Sequence, residues 1–273
     1  MSAVMYHYCP TSSFLSIVES KTIWLSDFKA TNDNMEGRWA DHLFSIPDDL
    51  PYKDKISAAL SIERHFAFRS PTYVACFSLK QDLLSQWRGY ADNGQGVAIG
   101  VRADFIPSRP PLEIGVPYND YELNAVDVVY DEEAQRSHLE QLVNWYTQGC
   151  QSRSEGESEG LIQSLLFWLD HLRASMKSPG FSEEHERRII FKPQGFKFED
   201  KRLWKGTKNP SEPRVRAAPD RLVEYFACAL PKDAIKEVVL GPKNRSDDEA
   251  VTVLLRSSEF QNVKVSRSAV SYA

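Results

Sequence analysis

The chain has 273 residues, 42% of them apolar and 26% charged, and carries a formal net charge of −5. That balance is ordinary for a folded globular protein, and it excludes a disordered chain, a collagen-like repeat and a uniformly basic nucleic-acid binder. No apolar run approaches the roughly 20 residues of a membrane span, and the start MSAVMYHYCP has neither the basic nor the apolar region of a secretory signal; a cytoplasmic location without membrane contact is expected.

Length and pattern together predict a single α+β domain over residues 1–273, with a helical insertion at 131–177. MYHYC reads as a first strand, and SSFLSIVESK as a helix that puts Phe14, Ile17 and Val18 on one face. TIWLSDF is a second strand, and ATNDNMEGRWADHLF passes through a polar turn into a helix. A further helix is expected from Lys53 to Phe68, before TYVACFS, a strand too apolar for a surface edge. QDLLSQWRGYADNGQGVAIGV reads as helix, glycine turn and strand, followed by extended pieces at LEIGVPY and NAVDVVY.

From Asp131 to Lys177 the apolar period becomes helical, through Leu139, Leu142, Val143 and Tyr146 and then Leu161, Leu165, Leu169 and Leu172. Two helices joined by a solvated linker, SRSEGESEG, are predicted. Strands return at RRIIF, LVEYFACAL and KEVVLG. The basic stretch from Lys192 to Arg221, broken by Pro210, Pro213 and Pro219, reads as a solvated loop. Ser246 with Glu249 has capping-box spacing and predicts a helix, and NVKVSRSAV a closing strand.

Strong catalytic motifs are missing: there is no P-loop, nucleophile elbow, HExxH or strand–GxGxxG–helix unit. Gly94 and Gly96 precede a strand, which indicates turn chemistry. The four cysteines, Cys9, Cys76, Cys150 and Cys228, lack close spacing, and Cys76 and Cys228 are expected to be buried reduced thiols. The six histidines show no ligand spacing, so no metal site is expected. Polar loops at strand ends remain as candidates: Ser26, Asn32, Asp33 and Glu36 after the second strand, and Ser78 after the third. Trp87 and Tyr90, three residues apart on a helix, would form one aromatic surface able to stack a ring.

The segment FSEEHERRIIF admits two readings. As a helix it pairs Glu183 with Arg187 and Glu184 with Arg188; as a strand it places Glu184, Glu186, Arg188 and Ile190 on one face. Ile189, Ile190, Phe191 and the stop at Pro193 favour a strand for the second half, entered through a short acidic lead-in.

Taken in order, Tyr6-His7-Tyr8, WLSDF with Asn32-Asp33 and Glu36, Cys76-Phe77-Ser78, WRGYADNGQGVAIG, Glu184-His185-Glu186-Arg187-Arg188, VVLGP and SRSAVSY resemble the bacterial family called domain of unknown function 2971. Arg187 departs from the aromatic residue frequent in that family, and Asn34 from its usual proline. The family's layout is in turn similar to the ADP-ribosyltransferase fold, a split β-core with NAD in its cleft. That resemblance implies His7 or Tyr8 beside the adenosine ribose, Ser78 with Trp87 or Tyr90 beside nicotinamide, and Asn32, Asp33 and Glu36 in a covering loop. It implies Glu186 as the catalytic carboxylate, with Glu184 in reserve, and Arg188 orienting the glutamate or binding a phosphate. The implied activity is NAD-dependent ADP-ribosyl transfer or NAD hydrolysis by a toxin or phage-defence effector, with a protein or nucleic-acid acceptor. The alternatives are a noncatalytic nucleotide-sensing or protein-interaction module, and a metal-dependent nuclease built on Asp33, Glu36, Glu184 and Glu186.

Overall fold

The computed structural model describes residues 3–30, 39–43, 46–63, 71–116, 122–193, 210, 212–218 and 220–272. Among them, ten strands make one mixed sheet and seven α-helices pack around it, an α+β architecture. No helix of the described residues is long and apolar enough to cross a membrane.

Strand β1 (Val4–Cys9) alternates as its sequence requires: Met5 and Cys9 enter the main core, and Tyr6 and Tyr8 project from the opposite face. Helix α1 (Thr11–Ser20) buries Phe14, Ile17 and Val18 and stops at Lys21, whose left-handed backbone turns its amide onto the Ile17 carbonyl. β2 (Thr22–Asp27), α2 (Trp39–Leu43), α3 (Lys53–Glu63) and β3 (Tyr73–Ser78) follow. Helix α4 (Leu84–Tyr90) leads through a tight turn at Gly94, which has φ +87°, into β4 (Val97–Arg102). β5 (Leu123–Asp127) precedes the long antiparallel helices α5 (Glu132–Gln151) and α6 (Glu155–Ser175). The chain then enters β6 (Glu186–Phe191), β7 (Arg214–Ala218), β8 (Arg221–Ala229), β9 (Ile235–Leu240), α7 (Asp248–Ser257) and β10 (Lys264–Arg267).

The strand order is β10-β9-β4-β1-β3-β2-β8-β7, with β6 on the other edge of β3 and β5 outside β6. β9 and β10 are parallel and joined by α7; the other paired strands are antiparallel. β3 is the branch point. β6 covers one of its edges from Tyr73 to Ser78, whereas the other edge is shared, β1 meeting it at Ser78 and β2 at Val74 and Tyr73. The sheet therefore splits between β1 and β2, and the backbone of β3 around Cys76 faces the split. His7 spans it, donating from Nδ1 to the Cys76 carbonyl at 2.9 Å.

One sheet face buries the main core of Met5, Ile17, Ile23, Leu25, Phe77, Ile189, Phe191 and Phe226 under α1 and α7, each side chain contributing roughly 1.5–3 kcal/mol by leaving water. A second core joins α2, α3, α5 and α6 through Ile56, Leu142, Tyr146, Leu165 and Trp168. Asp131 starts α5 by accepting from the Ala134 amide at 2.8 Å.

Several expectations are corrected. Residues 112–116, read as extended, form a turn containing Gly115 at φ +89°. The linker read across 152–160 shrinks to three residues, because the Glu157 carboxylate accepts from the Ser154 amide at 3.1 Å and its hydroxyl at 2.6 Å, letting α6 begin at Glu155. The basic loop contains β7, which pairs throughout with β8; Pro213 precedes that strand and so removes none of its ladder bonds. The cap of α7 is Asp247, which accepts from the Glu249 amide, and not Ser246. The helix expected to Phe68 is described to Glu63, and its last residues lie outside the described ones. All four cysteines are free thiols; Cys228 is buried, but Cys76 is only half-buried because its side chain faces the split.

Candidate functional site

The period of two along the strands decides which side chains reach the split. Tyr8 on β1, Trp24 and Ser26 on β2, Val74 and Cys76 on β3 and Glu186 on β6 project to the sheet face away from the main core. There they line a cavity of ≈ 190 Å³, completed by Gln86 and Tyr90 of α4, Lys177 and Glu184 from the connection between α6 and β6, and Arg216 of β7. His7 closes the floor. Sites that enclose a whole drug-sized ligand run roughly 300–1,000 Å³, so this one has room for part of a nucleotide.

The acidic wall is built by FSEEHERRIIF. Pro179–Glu184 forms a 3-10 turn, His185 takes a left-handed conformation at φ 44°, and β6 starts at Glu186. The helical pairing of Glu183 with Arg187 and Glu184 with Arg188 does not form. Arg187 instead reaches Asp127 at 2.9 Å and Ser108 at 2.7 Å. Arg188, fully buried, forks onto Glu186 with Nε at 2.7 Å from Oε1 and Nη2 at 3.0 Å from Oε2, and its Nη1 donates to the Ala174 carbonyl at 2.8 Å. Arg188 thus orients the carboxylate from behind and does not line the cavity.

Lys177 joins the two glutamates, its Nζ lying 2.6 Å from Glu184 Oε2 and 3.4 Å from Glu186 Oε2. The Tyr90 hydroxyl donates to Glu184 Oε1 at 3.2 Å. Two carboxylates and two cations make the cluster neutral when all four are charged, yet the carboxyls are driven apart. Burial alone raises Glu186, but the charge and hydrogen bonds of Arg188 and the charge of Lys177 outweigh it and hold the group at about 2. Burial also dominates at Glu184, and there Lys177 does not overcome it: its pKa is raised. At neutral pH Glu186 is fixed as an anion, and burial shifts Glu184 the other way, so the two carboxyls differ in proton affinity.

His7 is neutral, since burial lowers its pKa. A carbonyl only accepts, so Nδ1 carries the proton given to Cys76 and Nε2 keeps its lone pair. Ser78 is buried; its hydroxyl donates to the Glu184 carbonyl at 2.7 Å and holds that backbone in place. Trp87 is also buried, packing edge-on against Tyr8 at 4.8 Å and donating to Asp82 at 2.6 Å. Trp87 and Ser78 therefore support the cavity from outside its lining, and Tyr90 alone of the aromatic pair on α4 enters it. The Tyr8 hydroxyl bridges the Lys80 carbonyl and the Leu83 amide. Asn32, Asp33 and Glu36 lie outside the described residues. Among the described residues, no group of three or more His, Cys, Asp and Glu side chains is placed to hold a metal ion.

Reading the sequence missed Lys177, Trp24, Gln86 and Arg216. A lysine two residues past the end of α6 and nine before Glu186 was a signal for the first; Arg216 was hidden in the presumed loop.

Comparisons with curated proteins and with solved structures return no match. Residues 86–189, which carry most of α4 and both glutamates, match the family model described as Protein of unknown function (DUF2971), the same family that the ordered motifs resemble.

Proposed function

We propose that the cavity cleaves the nicotinamide glycosidic bond of NAD, passing ADP-ribose to an acceptor or to water. The observation that carries this reading is the pair of buried glutamates with opposed pKa shifts at the mouth of a split sheet, beside His7, Tyr8 and Tyr90. The split itself supports the likeness to the ADP-ribosyltransferase fold, because a sheet that parts at β3 offers the cleft such chemistry needs.

In this mechanism the C1′–N bond breaks, its electron pair leaves with neutral nicotinamide, and positive charge develops on the ribose. Glu186, held ionised by Arg188, stabilises that charge and a ribose hydroxyl. Glu184 accepts the proton of the incoming nucleophile as it attacks C1′. Tyr90 gives the leaving ring an aromatic wall. Cytoplasmic action as a bacterial toxin or phage-defence effector fits an enzyme that consumes NAD, with a protein or nucleic acid as acceptor.

The test is nicotinamide release from NAD, with and without protein and nucleic-acid acceptors. Glu184→Gln is expected to lose about 10²- to 10⁴-fold in rate and Glu186→Gln at least as much, both with unchanged circular dichroism. Full activity in both variants overturns the reading. One observation favours a second function, nucleotide sensing without turnover: both Glu186 oxygens are already engaged by Arg188 and Lys177. Calorimetric NAD binding with no nicotinamide release from any acceptor mixture selects that one.

A further inference from the structure

Opposite the glutamates, the cavity ends in a cation that the mechanism above does not use. Arg216 projects from β7 across β8 onto β2, where its guanidinium lies over the Trp24 ring at 5.9 Å and Nη2 donates to Ser26 Oγ at 3.3 Å. Its Nε is buried without a hydrogen-bond partner. Among the described residues no carboxylate pairs with it; burial lowers its pKa, and the one opposing influence is Tyr225. Arg188, the fully buried arginine of this face, has its fork filled by Glu186. A guanidinium that is partly desolvated, stacked on an indole and, among the described residues, without a carboxylate partner is a costly arrangement unless a ligand anion completes it.

We propose that Arg216, Ser26 and Trp24 form a phosphate-recognition subsite, so that the cavity selects phosphate-bearing ligands. Arg216 offers Nη1 and the second hydrogen of Nη2 as donors. Ser26 accepts from Arg216 and therefore keeps its own hydroxyl proton to donate. The indole holds the guanidinium plane fixed, which lowers the entropy lost when the fork closes on a phosphate. The cavity is then bipolar: a phosphate is held at Arg216, and the end of the ligand without phosphate, the nicotinamide cation in NAD, is directed to Tyr90 and the glutamates, where a second anion would meet Glu186. This subsite deepens the NAD reading by naming the feature recognised, but it does not require glycosidic cleavage.

Calorimetry with ADP-ribose, inorganic pyrophosphate and the phosphate-free nicotinamide riboside, on wild type and on Arg216→Gln and Arg216→Lys, tests it. In Arg216→Gln, affinity for the phosphate-bearing probes is expected to fall about 10- to 100-fold while nicotinamide riboside is unaffected. Arg216→Lys should recover only part of the loss, since lysine keeps the charge without the fork. Equal losses for phosphate-bearing and phosphate-free probes, or wild-type affinity for pyrophosphate in Arg216→Gln, overturn the subsite. If wild type binds pyrophosphate through Arg216 but neither NAD nor nicotinamide riboside, the subsite stands and the NAD reading fails. If pyrophosphate and ADP-ribose do not bind wild type at all, the subsite fails, whatever nicotinamide release shows. Unchanged thermal midpoints confirm that the variants are folded.

Discussion

Glu186 is the residue on which the site's electrostatics turn. Its carboxylate is committed to Arg188, Lys177 and the Cys76 thiol, and the two cations are themselves buried. Removing one partner leaves an uncompensated charge, so Arg188→Met is expected to cost about 3–5 kcal/mol in denaturant unfolding. The sign with pH follows. Folding lowers the Glu186 pKa from 4.5 to about 2, so its contribution is complete above pH 4.5 and disappears as pH falls through about 2. Glu184 works in the opposite direction: its pKa is raised, so its contribution is present below its ordinary 4.5 and is lost as pH rises through the folded value. Arg188→Met should therefore flatten the acid limb of stability between pH 4.5 and 2. An acid limb parallel to that of wild type would show that Arg188 does not set the Glu186 pKa.

At the scale of elements, the sequence was most legible where period and caps agreed. Phe14, Ile17 and Val18 marked α1, and the β-branched run of Ile189 and Ile190 marked β6. It was least legible where a cap outweighed composition, as Ser154 and Glu157 did in starting α6 inside a polar stretch. β7 escaped because an edge strand gains its stability from one neighbour and carries little apolar signal of its own. The DNGQG turn illustrates a constraint visible only in three dimensions. A Cβ on Gly96 would sit 2.2 Å from the Cys9 carbonyl oxygen, whereas one on Gly89 in α4 would meet nothing within 4 Å. Gly96→Ala is expected to lower stability by roughly 1–3 kcal/mol or more, and Gly89→Ala to raise it by up to about 1 kcal/mol. Matching midpoints for the two variants in urea unfolding would contradict this account of the turn.

Over the whole molecule, distant segments meet behind the cavity wall. Asp82 accepts from the Trp87 indole at 2.6 Å, the Ser268 hydroxyl at 2.6 Å and the Ala269 amide at 2.8 Å, tying the segment after β10 to the helix that supplies Gln86 and Tyr90. Asp82→Ala is expected to cost about 1–3 kcal/mol and to speed hydrogen exchange at Ala269 and Val270; unchanged exchange there would show the tie to be idle. The two long helices act at the same scale: α6 ends at Ser175, and the chain leaving it carries Lys177 between the glutamates.

The sequence by itself determined much of the local alphabet of this protein: strands and helices such as β1, α1, β3 and β6, that Glu186 and Arg188 fall on one face of β6, and which family the ordered motifs resemble. These depend on neighbours a few residues apart. Only the tertiary structure decided that β3 serves both β1 and β2 and so splits the sheet, that Arg188 faces inward to Glu186, and that Lys177 and Arg216 stand at opposite ends of one cavity. Those outcomes rest on pairings between segments up to about two hundred residues apart, whose free energy comes from shared burial and from charges that must find partners once water is removed.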